Sequence, residues 1–393
     1  MVIIFFVSLL ICFYTYIGYG LIVWGWLKVR QSSEPAIEEP EARPAWPAVT
    51  LLIAAYNEAD ILTEKIANCF QLDYPPAQLK ILFITDGSSD NSAAILADFP
   101  AIQHLHNPER KGKIAAVKRA MPFVETDFVV FTDANTFLNP QSIKGLIAHF
   151  RNEKIGAVAG EKRVRNKTAD KASAAGEGLY WQYESFLKKQ DAALYSVVGA
   201  AGELYAIRTA LFQHIPADAI LDDFEQTLNI AQKGHRVAYE PMAFAEEEAS
   251  ANLQEELKRK IRICAGGFQA MSRLLPLLNV FRYGVLSFQY FSHRVLRWTL
   301  APLSLPLLLL SNIYLVYENG GSGYRLLLFL QLAFYLQASM GYLWRDKQLN
   351  IKGFFVPLYF CIMNYAVYAG FLRFIRNKQT VNWEKAKRAS QVG

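Results

Sequence analysis

The sequence predicts an α/β domain, a sheet flanked by helices, carried on transmembrane and interfacial α-helices. Three observations predict it. Residues 1–27 form an apolar run without one Asp, Glu, Lys or Arg. Residues 48–265 alternate short β-rich runs with helical stretches. Three more apolar runs follow residue 298. Composition agrees: of 393 residues, 52% are hydrophobic and 19% charged, with mean hydropathy +0.11, where soluble domains carry roughly 25% charged residues. A disordered chain and a disulfide scaffold are excluded, and an ordinary soluble enzyme is disfavoured.

Met1–Leu27 is long enough to cross a bilayer, which takes roughly 20 residues, and Lys28 and Arg30 follow at once. It lacks the basic start and small-residue cleavage site of a signal peptide. The expectation is a transmembrane helix over 1–27 with its amino terminus outside, then a Glu/Pro/Ala-rich linker over 28–47 and a cytosolic domain over 48–267. Residues 268–297 mix Phe, Leu, Arg and Trp, as interfacial amphipathic helices do. The transmembrane region 298–372 holds about three segments, Trp298–Tyr317, Tyr324–Trp344 and Phe354–Leu372, and a basic tail spans 373–393. The stretch from Leu274 onward carries +10, thirteen basic against three acidic residues, and the residues before it −4, which gives the net charge of +6. Lys and Arg beside apolar segments mark the cytoplasmic face and anionic lipid, not nucleic acid. Three crossings would put the tail opposite the cytosolic domain, whereas its basic residues favour the same side. A run that is re-entrant or lies in the interface would reconcile the two. Cys12, Cys69, Cys264 and Cys361 are isolated and read as small buried residues in a reducing compartment.

Within the domain, Val49–Ala55 is a buried strand ending at Tyr56-Asn57-Glu58, and a helix runs on from Asp60. Leu79–Thr85 is a second strand, ending at Asp86-Gly87-Ser88-Ser89-Asp90; Phe128–Thr132 is a third, ending at Asp133-Ala134-Asn135. Each polar cluster lies at a strand's carboxyl end, where open α/β sheets bind ligands. The chain has neither GxGxxG nor GxxxxGK[ST], which argues against a dehydrogenase or a P-loop enzyme. Acidic side chains can instead accept from ribose and base, while a divalent metal carries a diphosphate.

Tyr56-Asn57-Glu58, Asp86-Gly87-Ser88, Lys111-Gly112-Lys113 and Thr132-Asp133-Ala134-Asn135, in this order, resemble family 2 glycosyltransferases of GT-A fold. Gly199-Ala-Ala-Gly202-Glu-Leu-Tyr-Ala-Ile-Arg208 and Leu221-Asp222-Asp223-Phe224-Glu225 extend the resemblance. With the flanking apolar segments, the chain is similar to the membrane-embedded branch that includes cellulose, hyaluronan and poly-N-acetylglucosamine synthases. The motifs cover about residues 48–267. The fold implied is a nucleotide-sugar-binding domain with a mixed sheet flanked by helices.

The resemblance implies that Tyr56, Glu58 and Asp86 hold the nucleotide, while Ser88 and Asp90 read as caps of the next helix. Asp133 and Asn135 stand where the family has Asp-x-Asp, which contacts ribose and a metal, Mg²⁺ or Mn²⁺. Asn135 offers a neutral oxygen, so the ion should bind more weakly than to two carboxylates. Lys113, at a helix start, suits an anion. Asp222-Asp223 stands at the Glu-Asp motif, with Asp223 the base that deprotonates the acceptor hydroxyl. Adjacent like charges raise one pKa. The plainer reading is a helix amino terminus capped by Asp222. Arg259-Lys260-Ile261-Arg262-Ile263 matches Gln-x-x-Arg-Trp. Arg262 would meet the leaving diphosphate, Arg259 would add a second phosphate contact, and Ile263 replaces the Trp on which polymerising members stack the acceptor. Gly199, Gly202 and Asp222 are expected at the acceptor. Glu246-Glu247-Glu248 is a further metal-ligand candidate or a solvated run, Trp181 and Tyr183 stack on sugar or pack, and the six histidines read as structural.

The resulting expectation is an integral-membrane inverting glycosyltransferase of a bacterial inner membrane, its catalytic domain cytoplasmic. The donor is a nucleotide sugar, a UDP-hexose or UDP-N-acetylhexosamine. The acceptor is a growing polysaccharide or a lipid-linked saccharide. Transfer to polyprenyl phosphate, and a non-catalytic membrane subunit that binds nucleotide sugar, are the alternatives.

Overall fold

A computed structural model describes residues 1–31, 45–165, 171–248, 250, 252–344 and 352–377. Most of the expected linker and the tail beyond Asn377, with Lys378, Lys385, Lys387 and Arg388, lie outside the described residues.

Eight strands form one sheet: β1 Val49–Ala55, β2 Leu79–Asp86, β3 Gln103–Asn107, β4 Phe128–Asp133, β5 Thr136–Leu138, β6 Ile155–Arg165, β7 Leu204–Arg208 and β8 Arg236–Glu248. Their order is β3-β2-β1-β4-β7-β6-β8-β5. The first four are parallel, β7 runs antiparallel to β4 and β6, and β8 is parallel to β6. The sheet is therefore mixed, and fully buried runs such as Val49–Ala55 suit strands covered on both faces. The chain moves outward from β1 through β2 to β3, then returns to lay β4 on the other side of β1. That reversal opens a crevice at the carboxyl ends of β1 and β4, where Ala54 pairs with Asp133.

Helices α1 Val2–Phe13 and α2 Tyr19–Gln31, joined by a π-helical turn, precede the domain; α3 Leu62–Phe70, α4 Ser92–Ala97, α5 Lys113–Ala120, α6 Ser142–Ala148, α7 Lys171–Leu194, α8 Asp222–Gln232 and α9 Leu253–Arg273 belong to it. Hydrophobic cores line both sheet faces. One joins β1 and β2 to α3 and α6 through Leu62, Ile66, Ile143 and Leu146. The other joins them to α5, α8 and α9 through Val117, Phe224, Leu228, Cys264 and Phe268. It also takes in Ala366 and Val367 from the chain's last helix.

The expected boundary at 267 falls inside α9. The Gly266-Gly267 pair is a contact rather than a stop: a Cβ on Gly267 would stand 2.5 Å from the Trp298 ring, and one on Gly266 2.7 Å from Ile220. Residues 280–298 form the short helices α10 Val280–Tyr283, α11 Val285–Tyr290 and α12 Leu296–Trp298. Long helices follow: α13 Leu300–Asn319, α14 Ser322–Leu343 and α15 Lys352–Ile375. Among the described residues, four helices, Val2–Arg30, Leu300–Glu318, Ser322–Leu343 and Gly353–Ile375, are long and apolar enough to cross a membrane.

A buried polar cluster ties these helices to the domain. His293 Nδ1 lies 2.6 Å from Asp191 Oδ2, and Tyr19 Oη donates to the other oxygen of the same carboxylate. Glu184 takes Arg294 at 2.6 Å and Arg297 at 2.8 Å. Tyr14 Oη lies 2.7 Å from Ser292 Oγ, and Tyr16 Oη donates to Asn364 Oδ1 at 2.7 Å. Paired in this way, charges can be buried; single ones could not.

Candidate active site

The strand-end crevice opens into a cavity of about 570 Å³ that runs from the β1–β4 edge toward the long helices. Ten of the twelve expected site residues line it: Glu58, Lys113, Asp133, Asn135, Gly199, Gly202, Asp222, Asp223, Arg259 and Arg262. Tyr56 and Asp86 are not in its wall. The Tyr56 ring is covered by the Arg110 guanidinium, 3.8 Å from the ring centre. Asp86 accepts from the backbone N–H groups of Lys111 (2.8 Å) and Gly112 (2.6 Å) and from Arg119 (3.3 Å). The amides that open α5 are thus turned to an internal carboxylate.

Asn57 explains how Glu58 enters the cavity. It adopts φ 53, a left-handed conformation that Asn tolerates better than most residues. Its Oδ1 accepts from Ser89 N–H at 2.8 Å, and its own N–H donates to Ser88 Oγ at 3.2 Å. The turn after β1 is thereby fastened to the turn after β2. Asp90 accepts from the N–H groups of Ala59 and Ser92, both at 3.0 Å, so Ser88 and Asp90 hold backbone.

Lys113 Nζ donates to Asp133 Oδ1 at 2.7 Å. Burial alone would lower this ammonium's pKa, but Asp133, Asp222 and Asp223 outweigh burial and raise it. Asn135 Oδ1 is buried without a hydrogen-bond partner. Beside the Asp133 carboxylate it completes a pair of hard oxygen donors that fits Mg²⁺ or Mn²⁺. Among the described residues no group of three or more His, Cys, Asp or Glu could hold an ion.

Asp222 and Asp223 open α8, and Leu221, not Asp222, holds the cap position. Burial, then the neighbouring Asp222 carboxylate, push Asp223 from 3.8 to about 7, against the pull of Lys113. The loop before β7 presses on this pair. Gly199 has φ +87, and a Cβ there would stand 2.1 Å from Phe224 Cδ2. A Cβ on Gly202 would lie 3.2 Å from Asp223 Oδ2 and 3.4 Å from Lys113 Nζ. Glycine at 202 leaves these two groups room that a side chain would crowd. Thr227 Oγ1 accepts from Ala200 N–H at 3.0 Å and donates to Asp223 O at 2.8 Å, which locks loop to helix.

On α9, Arg262 faces the same carboxylates; burial and then Arg259 lower its pKa, while Asp133, Asp222 and Asp223 oppose them. Arg259 is bound to carboxylates, Glu203 at 3.2 Å and Glu247 at 3.3 Å. Both also pair with the buried Lys162, Glu203 at 2.5 Å. Glu203, Glu247 and Lys162 form a network the sequence reading did not assemble. Its signals were the glutamate directly after Gly202 and the alternation of β8, which puts Glu247 on the face of Ala243 and Ala245. Trp181 lines the cavity with Lys162 and Lys260 each 5.3 Å from its ring centre. Tyr183 instead donates to Tyr16 O at 2.7 Å. Among the described residues, no histidine lines the cavity. Toward the long helices the wall is Arg297, Trp298, Met363 and Arg373.

Acidic strand ends at a sheet reversal, a carboxylate poised near neutrality and an arginine facing it define a glycosyltransferase of GT-A fold. The chain belongs to the glycosyltransferase like family 2, whose model matches residues 47–266, more than half of its length. It is 27% identical over 238 residues to poly-beta-1,6-N-acetyl-D-glucosamine synthase of Staphylococcus aureus (strain MSSA476), a match covering 57% of this chain and 56% of that protein. The synthase of the same name from Staphylococcus epidermidis is 25% identical over 235 residues, with the same coverage. The chain thus matches about half the length of these relatives. Among solved structures, the mannosyltransferase PcManGT from Pyrobaculum calidifontis, in complex with GDP-Man and Mn²⁺, superposes with TM-score 0.69 at 19% identity, over 96% of this chain and all of that one.

Proposed function

We propose that this protein is a membrane-resident inverting glycosyltransferase that transfers a hexose or N-acetylhexosamine from a UDP-sugar to an acceptor hydroxyl. The acceptor is a growing envelope polysaccharide or a lipid-linked saccharide, and the domain works on the cytoplasmic face of a bacterial membrane. The observation that carries the reading is Asp223: a carboxylate at the cavity wall, held near neutrality by burial and Asp222, against the glycine loop that gives access to it. Such a group takes the acceptor proton as the oxygen attacks the anomeric carbon, since a base works best with a pKa near the working pH. Glu58 sits on the donor side, with Asp86 and Tyr56 behind it ordering the turns that frame the nucleotide. Lys113 and Arg262 bring positive charge to the diphosphate as it leaves. Asp133 and Asn135 would hold a divalent ion, which when bound supplies charge neutralisation on the diphosphate. Arg259 orders Glu203 and Glu247 beside the acceptor loop. The Staphylococcus relatives support a polysaccharide-forming enzyme, and the Mn²⁺ in the mannosyltransferase's complex supports the metal.

The test is UDP release by the detergent-purified protein from a panel of UDP-sugars, with Mg²⁺, Mn²⁺ or EDTA, beside Asp223→Asn. Turnover with one sugar that EDTA and the substitution both abolish is expected. Turnover insensitive to Asp223→Asn would remove the base assignment and favour an acceptor that is already an anion, such as polyprenyl phosphate.

A further inference from the structure

The fourth long apolar helix does not run the way its composition suggests. The depth of each helix can be read from its neighbours. The start of α14 lies far from the catalytic domain, where Tyr324 meets Phe5 with ring centres 5.3 Å apart and Phe5 clusters with Leu308 and Leu315. The end of α14 returns toward the domain. The start of α13 is also at the domain side, since it follows directly on α12, whose Arg297 pairs with Glu184 and whose Trp298 packs on Phe224.

Among the described residues, α15 meets the second half of α14 and elements on the domain side; its Phe360 ring lies 5.7 Å from Phe334 and 5.0 Å from Tyr16, and it does not reach Tyr324 or Leu315. Its first turn packs on the end of α14: the Phe354 and Trp344 rings are 5.2 Å apart, and a Cβ on Gly341 would stand 2.6 Å from Phe354 O. Fourteen residues later, about 21 Å along the helix at 1.5 Å per residue, Tyr368 Oη donates to Pro302 O at the start of α13. In between, Tyr359 lies against Tyr180 of α7, ring centres 6.1 Å apart. Beyond it, Gly370 abuts α9 so closely that a Cβ would stand 2.6 Å from Cys264, and Phe371 and Phe374 flank Phe268. A crossing helix would carry one end to the level of Tyr324 and Leu315.

We infer that α15 lies in the membrane plane beneath the catalytic domain, with the bilayer surface as its partner, and that the chain crosses the membrane three times rather than four. The buried side, with Leu358, Ala366, Val367 and Gly370, closes on the domain and bundle. On the other side Tyr365, Leu372 and Ile375 are open, with Tyr365 58% and Leu372 51% exposed, as suits the headgroup boundary, while Cys361 is half-buried and Tyr368 reaches α13. Met363 and Arg373 meanwhile line the cavity, so the helix floors the site along the lipid surface. Three crossings also return Arg373, Arg376 and the basic tail to the catalytic side, in keeping with the charge rule.

The experiment places one epitope tag in the full-length chain, either within residues 32–44 or after Gly393, and measures protease and antibody access in sealed right-side-out and inside-out vesicles. Both tags on one side is expected; tags on opposite sides would overturn the proposal. A second measurement uses nitroxide labels at native Cys361 and at Ile375→Cys, which share one face of the helix, in a protein whose other cysteines are replaced by Ser, with retained fold checked by gel filtration. A crossing helix separates these labels by about 21 Å of depth, whereas an in-plane helix gives matching depths. Matching depths with tags on one side sustain the proposal, and a depth difference of about 21 Å refutes it whatever the tags report. Neither readout depends on turnover, so failure here leaves the catalytic reading standing, and the converse holds too.

Discussion

Replacing Asp223 by Asn should cost activity and raise stability, and the two effects share one cause. The carboxyl is pushed from 3.8 to about 7 by burial and by Asp222, so between these values the folded protein holds a proton that the unfolded chain has lost. Stability must therefore fall as pH rises through that window, and level off above pH 7. At roughly 1.4 kcal/mol per unit, the cost of ionising Asp223 in the fold reaches about 4 kcal/mol at most, less where the cavity admits water. Asn carries no such cost. The variant should melt at nearly the wild-type temperature at pH 4.5 and above it at pH 8, by scanning fluorimetry in detergent. Activity moves the other way: kcat/KM should drop about 10²–10⁴-fold, the usual contribution of a positioned base. The wild-type profile should climb with pH and flatten near 7. A stability gain that is the same at both pH values would refute the charge argument. A wild-type profile already flat from pH 5 would refute the role of base.

Three further substitutions probe the rest of the site. Gly199→Ala forces a side chain into Phe224 at positive φ and should destabilise the protein by at least about 2 kcal/mol; an unchanged melting temperature would contradict the packing described. Asn135→Asp supplies the second carboxylate and should lower the Mn²⁺ concentration for half-maximal activity about tenfold, or ~1.4 kcal/mol, while Asn135→Ala should raise it. Lys162→Met leaves Arg259 as the remaining ion-pair partner of two buried carboxylates, Glu203 and Glu247, and should cost up to about 3–5 kcal/mol, with much of that recovered in the double variant Lys162→Met/Glu203→Gln, as a four-way melting comparison would reveal.

What was legible in the sequence was whatever local chemistry dictates. An acidic residue just past a buried strand has nowhere to go but the sheet's open end, so Glu58 and Asp133 could be placed, and Asp222-Asp223 followed from adjacency. Asp86 obeys the same rule yet is spent on the amides of Lys111 and Gly112, just before α5, and on Arg119. Lys162 could not be foreseen. An irregularity between Gly160 and Glu161 shifts the β6–β8 register so that Lys162 faces Ala245 rather than a residue near Met242, and nothing local in β6 announces that shift. The helices show the limit most plainly. The apolar stretches in α14 and α15 have equal mean hydropathy, yet 11% of one and 44% of the other is buried within the protein. Composition reports what a helix can dissolve in; its direction comes from partners far away in the chain.

The tyrosines of the first helix have a consequence for biosynthesis. Tyr19 finds its carboxylate 172 residues later, Tyr14 its serine 278 later and Tyr16 its asparagine 348 later. At about 5–20 residues per second, Tyr16 waits some 17–70 s after its own synthesis for that partner to be made. An early apolar segment is therefore completed only by residues made much later. Until then its hydroxyls belong to whatever insertion factor or lipid headgroup shelters them, and a ribosome stalled before Asn364 would leave an anchor already in place but still open to the wrong companion.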